Sequence, residues 1–386
     1  MKIGYFTFEN IRIAETFISD LMQKLSNIDE VVWYSGQKDI PMYIIKNQIA
    51  IGFSPYNCKV INFIFKLLQI KISFAYRVRM KLRLLYSKRA LKRLNSIVEV
   101  AYVEFLTTAV LVREFFEEKN IPYIVHVHAY DITSELNDTA YANEIQKVFK
   151  SAKKILAPSE YIKKLLVLQG CSIDKIEVVR LGIDTQSITP LSWSKRFENP
   201  PSLVFLGRLV EKKNPVALLY SLDIVKKHFP DIKLIIIGKG PLRSKIEEVT
   251  KELNLEDSVV LMGALPREKS FPILNRSWIY VQHSITTRNG DKEGAPVSIS
   301  EASAHALPVV STIHSGIPEQ VIDGETGFLV QECDYTDMAQ KIIKLLNSRD
   351  LMVQMGKSGR NYITKLNCLD CRVDKIYKIL YNACNR

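Results

Sequence analysis

No stretch of this sequence reaches the roughly 18 to 20 uncharged apolar residues that a bilayer-spanning helix needs. That points to a soluble or peripheral protein. The opening Met1-Lys2-Ile3-Gly4-Tyr5-Phe6-Thr7-Phe8 meets Glu9 too soon to hold the apolar region of a signal peptide, and it reads as a first buried strand. Cysteine is scarce: six residues, at 58, 171, 333, 368, 371 and 384, do not make a disulfide framework in a chain of 386. A reducing, cytoplasmic compartment fits them. Cys368 and Cys371 form a C-x-x-C, but no second Cys or His pair stands at zinc-ligand spacing. No D-x-D occurs, so no metal is expected to bridge phosphates. No G-x-G-x-x-G follows a strand, which argues against a NAD-dependent oxidoreductase. No period of 20 to 50 residues recurs, which excludes solenoids and propellers.

Acidic residues are missing altogether from one region. Residues 59–98 hold no Asp or Glu, while Lys59, Lys66, Lys71, Arg77, Arg79, Lys81, Arg83, Lys88, Arg89, Lys92 and Arg93 alternate with apolar side chains. Such a basic amphipathic stretch, residues 59–93, can lie on an anionic membrane surface. It can equally be a solvated helix face packed on its own domain. No nucleic-acid module accompanies the charge, so no nucleic-acid partner is expected.

The rest is ordinary globular composition, 47% hydrophobic and 24% charged, with a net charge of +12. The length exceeds what one core usually supports, so two domains are expected. Short apolar runs at 121–127, 154–157, 176–179, 203–206, 234–237, 258–261, 278–281 and 308–311 alternate with helical patterns, as in a doubly wound α/β architecture. A polar stretch at 189–201, with Pro190, Pro200 and Pro201, reads as a linker between domains at 1–188 and 202–365. Ligands of open α/β sheets bind beyond the carboxyl ends of the strands, which places the active site in a cleft between the two domains.

Four segments carry candidate chemistry. Gly207-Arg208 and Lys213 follow the strand at 203–206, where glycine admits a ligand and the two cations can clamp a diphosphate. Gly238-Lys239-Gly240-Pro241 lacks a third glycine and reads as a tight strand-to-helix turn. Glu293-Gly294-Ala295-Pro296 leads into a helix carrying Glu301, offering a phosphate the backbone N–H groups of a helix start and placing Glu301 toward ribose hydroxyls; two surface glutamates are the plainer alternative. His126-Val127-His128 ends a strand, His126 reading as structural and His128, nearer the loop, as functional.

In order and spacing, these segments resemble the retaining GT-B glycosyltransferases of family 4, also called glycosyltransferase group 1, and within it the bacterial colanic-acid and exopolysaccharide branch. Glu15-Thr16-Phe17-Ile18, His128-Ala129-Tyr130-Asp131, Leu181-Gly182-Ile183-Asp184, Phe205-Leu206-Gly207-Arg208, Asp291 to Pro296, Glu301-Ala302, Gly316-Ile317-Pro318-Glu319 and Gly324-Glu325-Thr326-Gly327 carry the resemblance. It implies two facing Rossmann-like domains with a C-terminal helix, 366–386, returning to the first. It also implies a metal-independent, cofactor-free transfer of a hexosyl group from a nucleotide sugar, UDP-linked, to a saccharide or lipid-linked saccharide acceptor. Arg208 and Lys213 would bind the diphosphate, Glu293 the sugar hydroxyls, Gly294 and Ala295 the phosphates, and Glu301 the ribose. His128 would sit beside the donor sugar, and Gly182, Gly207 and Gly316 would admit backbone to the donor. The sequence departs from the family in the glycine-free stretch Glu9 to Glu15, at Ala14 and Ala129, and at Ala295-Pro296. A nucleotide-sugar epimerase of the same fold and a non-catalytic basic membrane-binding protein are the rival readings.

Overall fold

The computed structural model describes residues 1–7, 16–35, 48–50, 72–92 and 98–385. Ala14, Glu15 and the glycine-free stretch around them lie outside the described residues, as do Lys59, Lys66, Lys71 and Arg93. The chain divides into two compact units: Met1–Val179 with Asp370–Arg386, and Arg180–Leu369.

In the first unit, β1 (Lys2–Thr7), β2 (Glu30–Ser35), β3 (Gln48–Ala50), β4 (Val100–Glu104), β5 (Tyr123–His126), β6 (Lys154–Ala157) and β7 (Ile176–Val178) form a sheet in the order β3-β2-β1-β4-β5-β6-β7. Every pairing is parallel. Ile3, Tyr5, Val100, Ala101, Tyr102 and Val103 are fully buried, so these strands are apolar on both faces, as parallel strands covered by helices must be. The helices Leu106–Lys119 and Thr139–Ser151 supply Val110, Phe116, Ile145 and Val148 to the same core. Asp138 caps the second of these, accepting from the N–H of Ala140 at 2.9 Å. The helix Leu369–Cys384 buries Ile376 and Leu380, and its Arg372 donates to Phe17 O at 2.9 Å.

In the second unit, β8 (Ser202–Leu206), β9 (Lys233–Ile237), β10 (Val259–Gly263), β11 (Ile279–Val281), β12 (Val309–Thr312) and β13 (Gly327–Val330) are ordered β10-β9-β8-β11-β12-β13, again all parallel. Strand order reverses between β1 and β4 in the first sheet and between β8 and β11 in the second. Each reversal opens a crevice at the carboxyl ends of the strands, where α/β proteins bind ligands.

The domain boundary differs from the one predicted. Residues 180–201 belong to the second unit. The proline-rich stretch 189–201 is not a linker, because its short helix Trp193–Arg196 anchors there. Arg196 is fully buried, donates to Ser277 O at 3.1 Å and His305 O at 2.8 Å, and its own carbonyl accepts from Trp278 Nε1 at 3.2 Å. Polar composition reads as a linker, but here the polar residue bonds into the interior. No helix among the described residues is long and apolar enough to cross a membrane.

Candidate functional site

At the end of β8 the chain turns through Gly207 and Arg208 into a short 3-10 turn, Glu211–Lys213. Gly207 gives its neighbour room: a Cβ there would lie 2.9 Å from Lys213 Cδ. The glycine thus lets the lysine stem pass across the strand end. Lys213 Nζ is buried and stands 3.1 Å from Glu293 Oε1 and 3.5 Å from Gln282 Oε1. Lys212 beside it pairs with Asp291 at 3.0 Å. The Arg208 side chain is half-buried and forms no hydrogen bond or ion pair with a described residue.

Burial works against both charges of the Lys213–Glu293 pair. For Glu293 the burial is outweighed chiefly by Lys213 and Lys212, which bring its carboxyl down to about 2. For Lys213 burial wins, since Lys212 and Arg208 repel it while Glu293 attracts it, and its pKa is lowered. The result is a carboxylate fixed in its charged form beside a cluster of cations with more positive charge than one carboxylate neutralises. That cluster can receive a further anion.

The Gly238–Pro241 turn does bring loops close together. A Cβ on Gly238, whose φ is +155°, would fall 1.8 Å from Gly207 O, and one on Gly240 would fall 2.3 Å from Leu209 O. Leu209 N–H donates to Lys239 O at 3.0 Å, locking the β8 and β9 loops together. Pro296 stands at the cap position of the helix Val297–Ala304, with Gly294 and Ala295 half-buried before it. Glu301 is buried on that helix, and its Oε1 meets Arg267 Nε and Nη2, each at 3.2 Å. Gly316 caps the 3-10 turn Ile317–Glu319. Gly182 has an internal explanation: a Cβ would sit 2.7 Å from Leu369 Cα, so the close approach seen there is between two segments of this chain.

Three residues at the same strand ends escaped the sequence reading. Gln282, after β11, is fully buried, its Oε1 accepting from Tyr280 Oη at 2.9 Å and Ser298 Oγ at 3.1 Å. His314, after β12, accepts from the Glu293 N–H at 3.0 Å through Nε2. Glu332, after β13, lies 2.7 Å from His314 Nδ1. The His314-Ser315 pair directly before Gly316 was the available signal, but a buried polar contact leaves no periodicity to detect.

In the first unit His128 and His126 share a buried network at the ends of β4 and β5, and the environment separates them. His128 Nε2 is 2.6 Å from Glu104 Oε1, while the other Glu104 oxygen accepts from Tyr5 Oη. Burial disfavours the imidazolium, but the contact with Glu104 outweighs it and raises the His128 pKa. Glu104 is likewise buried and, with His128 hydrogen-bonded to it and Arg372 nearby, is held at about 2. His126 is pushed well below its ordinary value by burial, and its Nδ1 faces Tyr102 Oη at 2.7 Å and Arg372 Nη2 at 3.5 Å. It therefore stays neutral. Asp131 accepts from the N–H groups of His128 at 2.8 Å and Leu106 at 2.9 Å, yet burial lifts it to about 7. Phe105, between β4 and its helix, has φ +74°, an uncommon conformation for a bulky residue, and packs its ring 4.5 Å from His128. Glu104 was missed because a carboxylate at a strand end reads as surface.

The fold and the two strand-end constellations define a two-domain α/β protein of the GT-B kind. The model for glycosyl transferases group 1 matches residues 190–362, and that for Glycosyltransferase Family 4 matches residues 58–187. This chain belongs to that family. It is 32% identical over 215 residues to WcaL of Escherichia coli K12, a candidate colanic acid biosynthesis glycosyltransferase, covering 56% of this chain and 53% of WcaL. It is 31% identical over 218 residues to the amylovoran biosynthesis glycosyltransferase AmsK of Erwinia amylovora, again covering 56% and 53%. A GDP-mannose-dependent alpha-(1-6)-phosphatidylinositol monomannoside mannosyltransferase of Mycobacterium tuberculosis is 27% identical over 197 residues, 49% of this chain and 51% of that one. The chain spans about half the length of the curated relatives it matches. Among solved structures, Anabaena HepE in complex with UDP and glucose superimposes with a TM-score of 0.78 at 15% identity, covering 99% of this chain and 100% of that one.

Proposed function

We propose that this chain is a retaining hexosyltransferase that moves a sugar from a nucleotide-sugar donor, UDP-linked, to a saccharide acceptor of surface polysaccharide synthesis. The observation that carries this reading is the buried Lys213–Glu293 pair beside Arg208 at the switch point of the second sheet. Breaking the bond between the anomeric carbon and the diphosphate leaves negative charge on the phosphate. Positioned cations stabilise that charge far more in a buried site than in water. Arg208 and Lys213 supply them in this reading, without a divalent metal. The new bond forms to the acceptor oxygen on the face the diphosphate leaves, and the acceptor proton departs with the nucleoside diphosphate.

Glu293, ionised at every ordinary pH, accepts from the donor sugar hydroxyls. Glu301, its rotamer held by Arg267, accepts from the ribose. Gly294 and Ala295 offer backbone N–H groups to the phosphates, and His128 lies beside the donor sugar. Two of the relatives are named for colanic acid and amylovoran biosynthesis, and a third for mannosyl transfer to a phosphatidylinositol monomannoside. A lipid-linked acceptor and contact of the 59–93 stretch with an anionic membrane form part of the same proposal. A thermal-shift panel of UDP- and GDP-sugars tests it, because a ligand at a hundred times its Kd adds about 2.7 kcal/mol to stability. One nucleotide sugar should raise Tm well beyond its free sugar. No stabilisation by any member would sink the reading.

A further inference from the structure

Both backbone groups of Glu293 are held by side chains, and those side chains are consecutive. His314 Nε2 accepts from the Glu293 N–H at 3.0 Å, and Ser315 Oγ donates to the Glu293 carbonyl. Ser315 takes φ +51° to do this, a left-handed conformation that costs a non-glycine residue roughly 1 kcal/mol or more. His314 is 1% exposed. Since Nε2 accepts, the ring proton sits on Nδ1, where Glu332 Oε1 receives it at 2.7 Å. Glu332 is itself fixed by Thr286, whose N–H donates to Oε2 at 2.7 Å and whose hydroxyl donates to Oε1 at 3.2 Å. The relay thus runs from the loop after β11, through the residue after β13, to the loop after β12, and ends on the backbone of Glu293.

We propose that His314 is a positioning residue that, held in one tautomer by Glu332, clamps the Glu293 backbone and so sets where the Glu293 carboxylate stands. The inference rests on the transferase reading for what Glu293 touches. The physical need is clear: the carboxylate projects from a loop, and loops hold a group less rigidly than strands do. An error of about 1 Å in a group that contacts the reacting sugar can cost a hundredfold in rate. Of the two neutral forms, a clamp on the Glu293 N–H permits only the one with Nδ1 protonated, and the Glu332 acceptor, half-buried and held by Thr286, enforces it.

The test has two arms on the intact chain. Long-range proton–nitrogen NMR, with the His314 signals assigned by their loss in His314→Gln, should show Nδ1 protonated and Nε2 bare. Glu332→Ala should release the Nε2-protonated form. Finding Nε2 protonated in the native protein overturns the clamp. In the second arm, binding of UDP and of the stabilising UDP- or GDP-sugar is compared by calorimetry. His314→Ala should lose about tenfold to a hundredfold in sugar-dependent affinity or turnover, with a clearly smaller loss of affinity for the bare nucleotide. His314→Gln, whose amide oxygen can take the Glu293 N–H, should recover to within about fivefold. Equal loss of nucleotide affinity, no loss at all, or a Gln variant no better than Ala overturns the proposal. If no nucleotide sugar binds the native protein, the transferase reading fails, and the tautomer still decides the clamp.

Discussion

At the scale of single residues, Arg208 and Glu293 are adjacent in proposed function and opposite in what they do for the fold. The Arg208 side chain has no partner among the described residues, so Arg208→Ala should leave unfolding free energy within about 0.5 kcal/mol. Turnover should fall about a hundredfold or more, as for other lost charge-stabilising contacts. Glu293→Gln instead leaves Lys213 buried beside a neutral amide, and breaking a buried pair in this way costs on the order of 3 kcal/mol. Its effect on turnover is therefore clean only after the stability loss is measured. The pH dependence separates the two contributions. The Glu293 pKa is depressed in the folded protein from an ordinary 4.5 to about 2, so its stabilising contribution is fully present above 4.5 and lost as pH falls toward 2. Urea unfolding of native and Glu293→Gln proteins should show a gap that is constant near neutrality and closes across that acid window. A gap independent of pH would mean that the carboxylate does not carry the pair.

At the scale of elements, the carboxyl ends of β8, β9 and β10 carry glycines whose reasons differ. A Cβ on Gly238 would strike Gly207 O, whereas one on Gly263, with φ +70°, meets nothing within 4 Å. Gly263→Ala should therefore cost only backbone strain, about 1 kcal/mol. Gly238→Ala must push the β8 loop away and should cost clearly more, while weakening nucleotide binding through displaced Arg208. Equal costs in denaturant titrations would show that the β8 and β9 loops are not locked together. Elements of this kind were partly legible. The apolar runs locate β5 to β12 within a residue or two, because strands buried on both faces advertise themselves. β4, which ends in Glu104, and β13, which opens on Gly327, are passed over although residues 100–103 and 328–330 are apolar runs of the same kind. The candidate site shows the same divide. Glycines, prolines and clustered charges at strand ends drew attention to Arg208, Lys213 and Glu293. Gln282, His314 and Glu332 act through hydrogen bonds between distant segments, which no local pattern encodes. The misplaced linker is the converse error, polar composition mistaken for exposure where Arg196 is wholly buried.

At the scale of the whole molecule, a net charge of +12 favours adsorption to anionic surfaces, and the acid-free region 59–98 concentrates that charge. The helix Ile72–Leu91 occupies part of it, and its described side chains face two ways. Met80 and Leu91 are buried in the first unit's core, and Lys88 pairs with Glu118 at 2.7 Å and Glu114 at 3.5 Å on the helix Leu106–Lys119. That face docks the helix on its own domain. Lys81, Leu85, Tyr86, Arg89 and Lys92 are exposed, Leu85 by 47% and Tyr86 by 53%. Three cations around a leucine and a tyrosine can touch an anionic bilayer while the apolar pair enters its interface. Each cation near such a surface contributes about 1 kcal/mol, and the attraction reaches about 8 Å at physiological salt but only about 3 Å at 1 M. Co-sedimentation with phosphatidylserine-containing liposomes should therefore weaken sharply as salt rises, and phosphatidylcholine liposomes should bind little at any salt. Changing Lys81, Arg89 and Lys92 together to Gln should reduce binding at low salt by about tenfold or more. Lys88→Gln, which removes a charge already neutralised by two glutamates, should change binding much less. Should the triple variant sediment like the native protein, or should Lys88 matter as much as the other three, the exposed face of this helix is a solvated surface and nothing more.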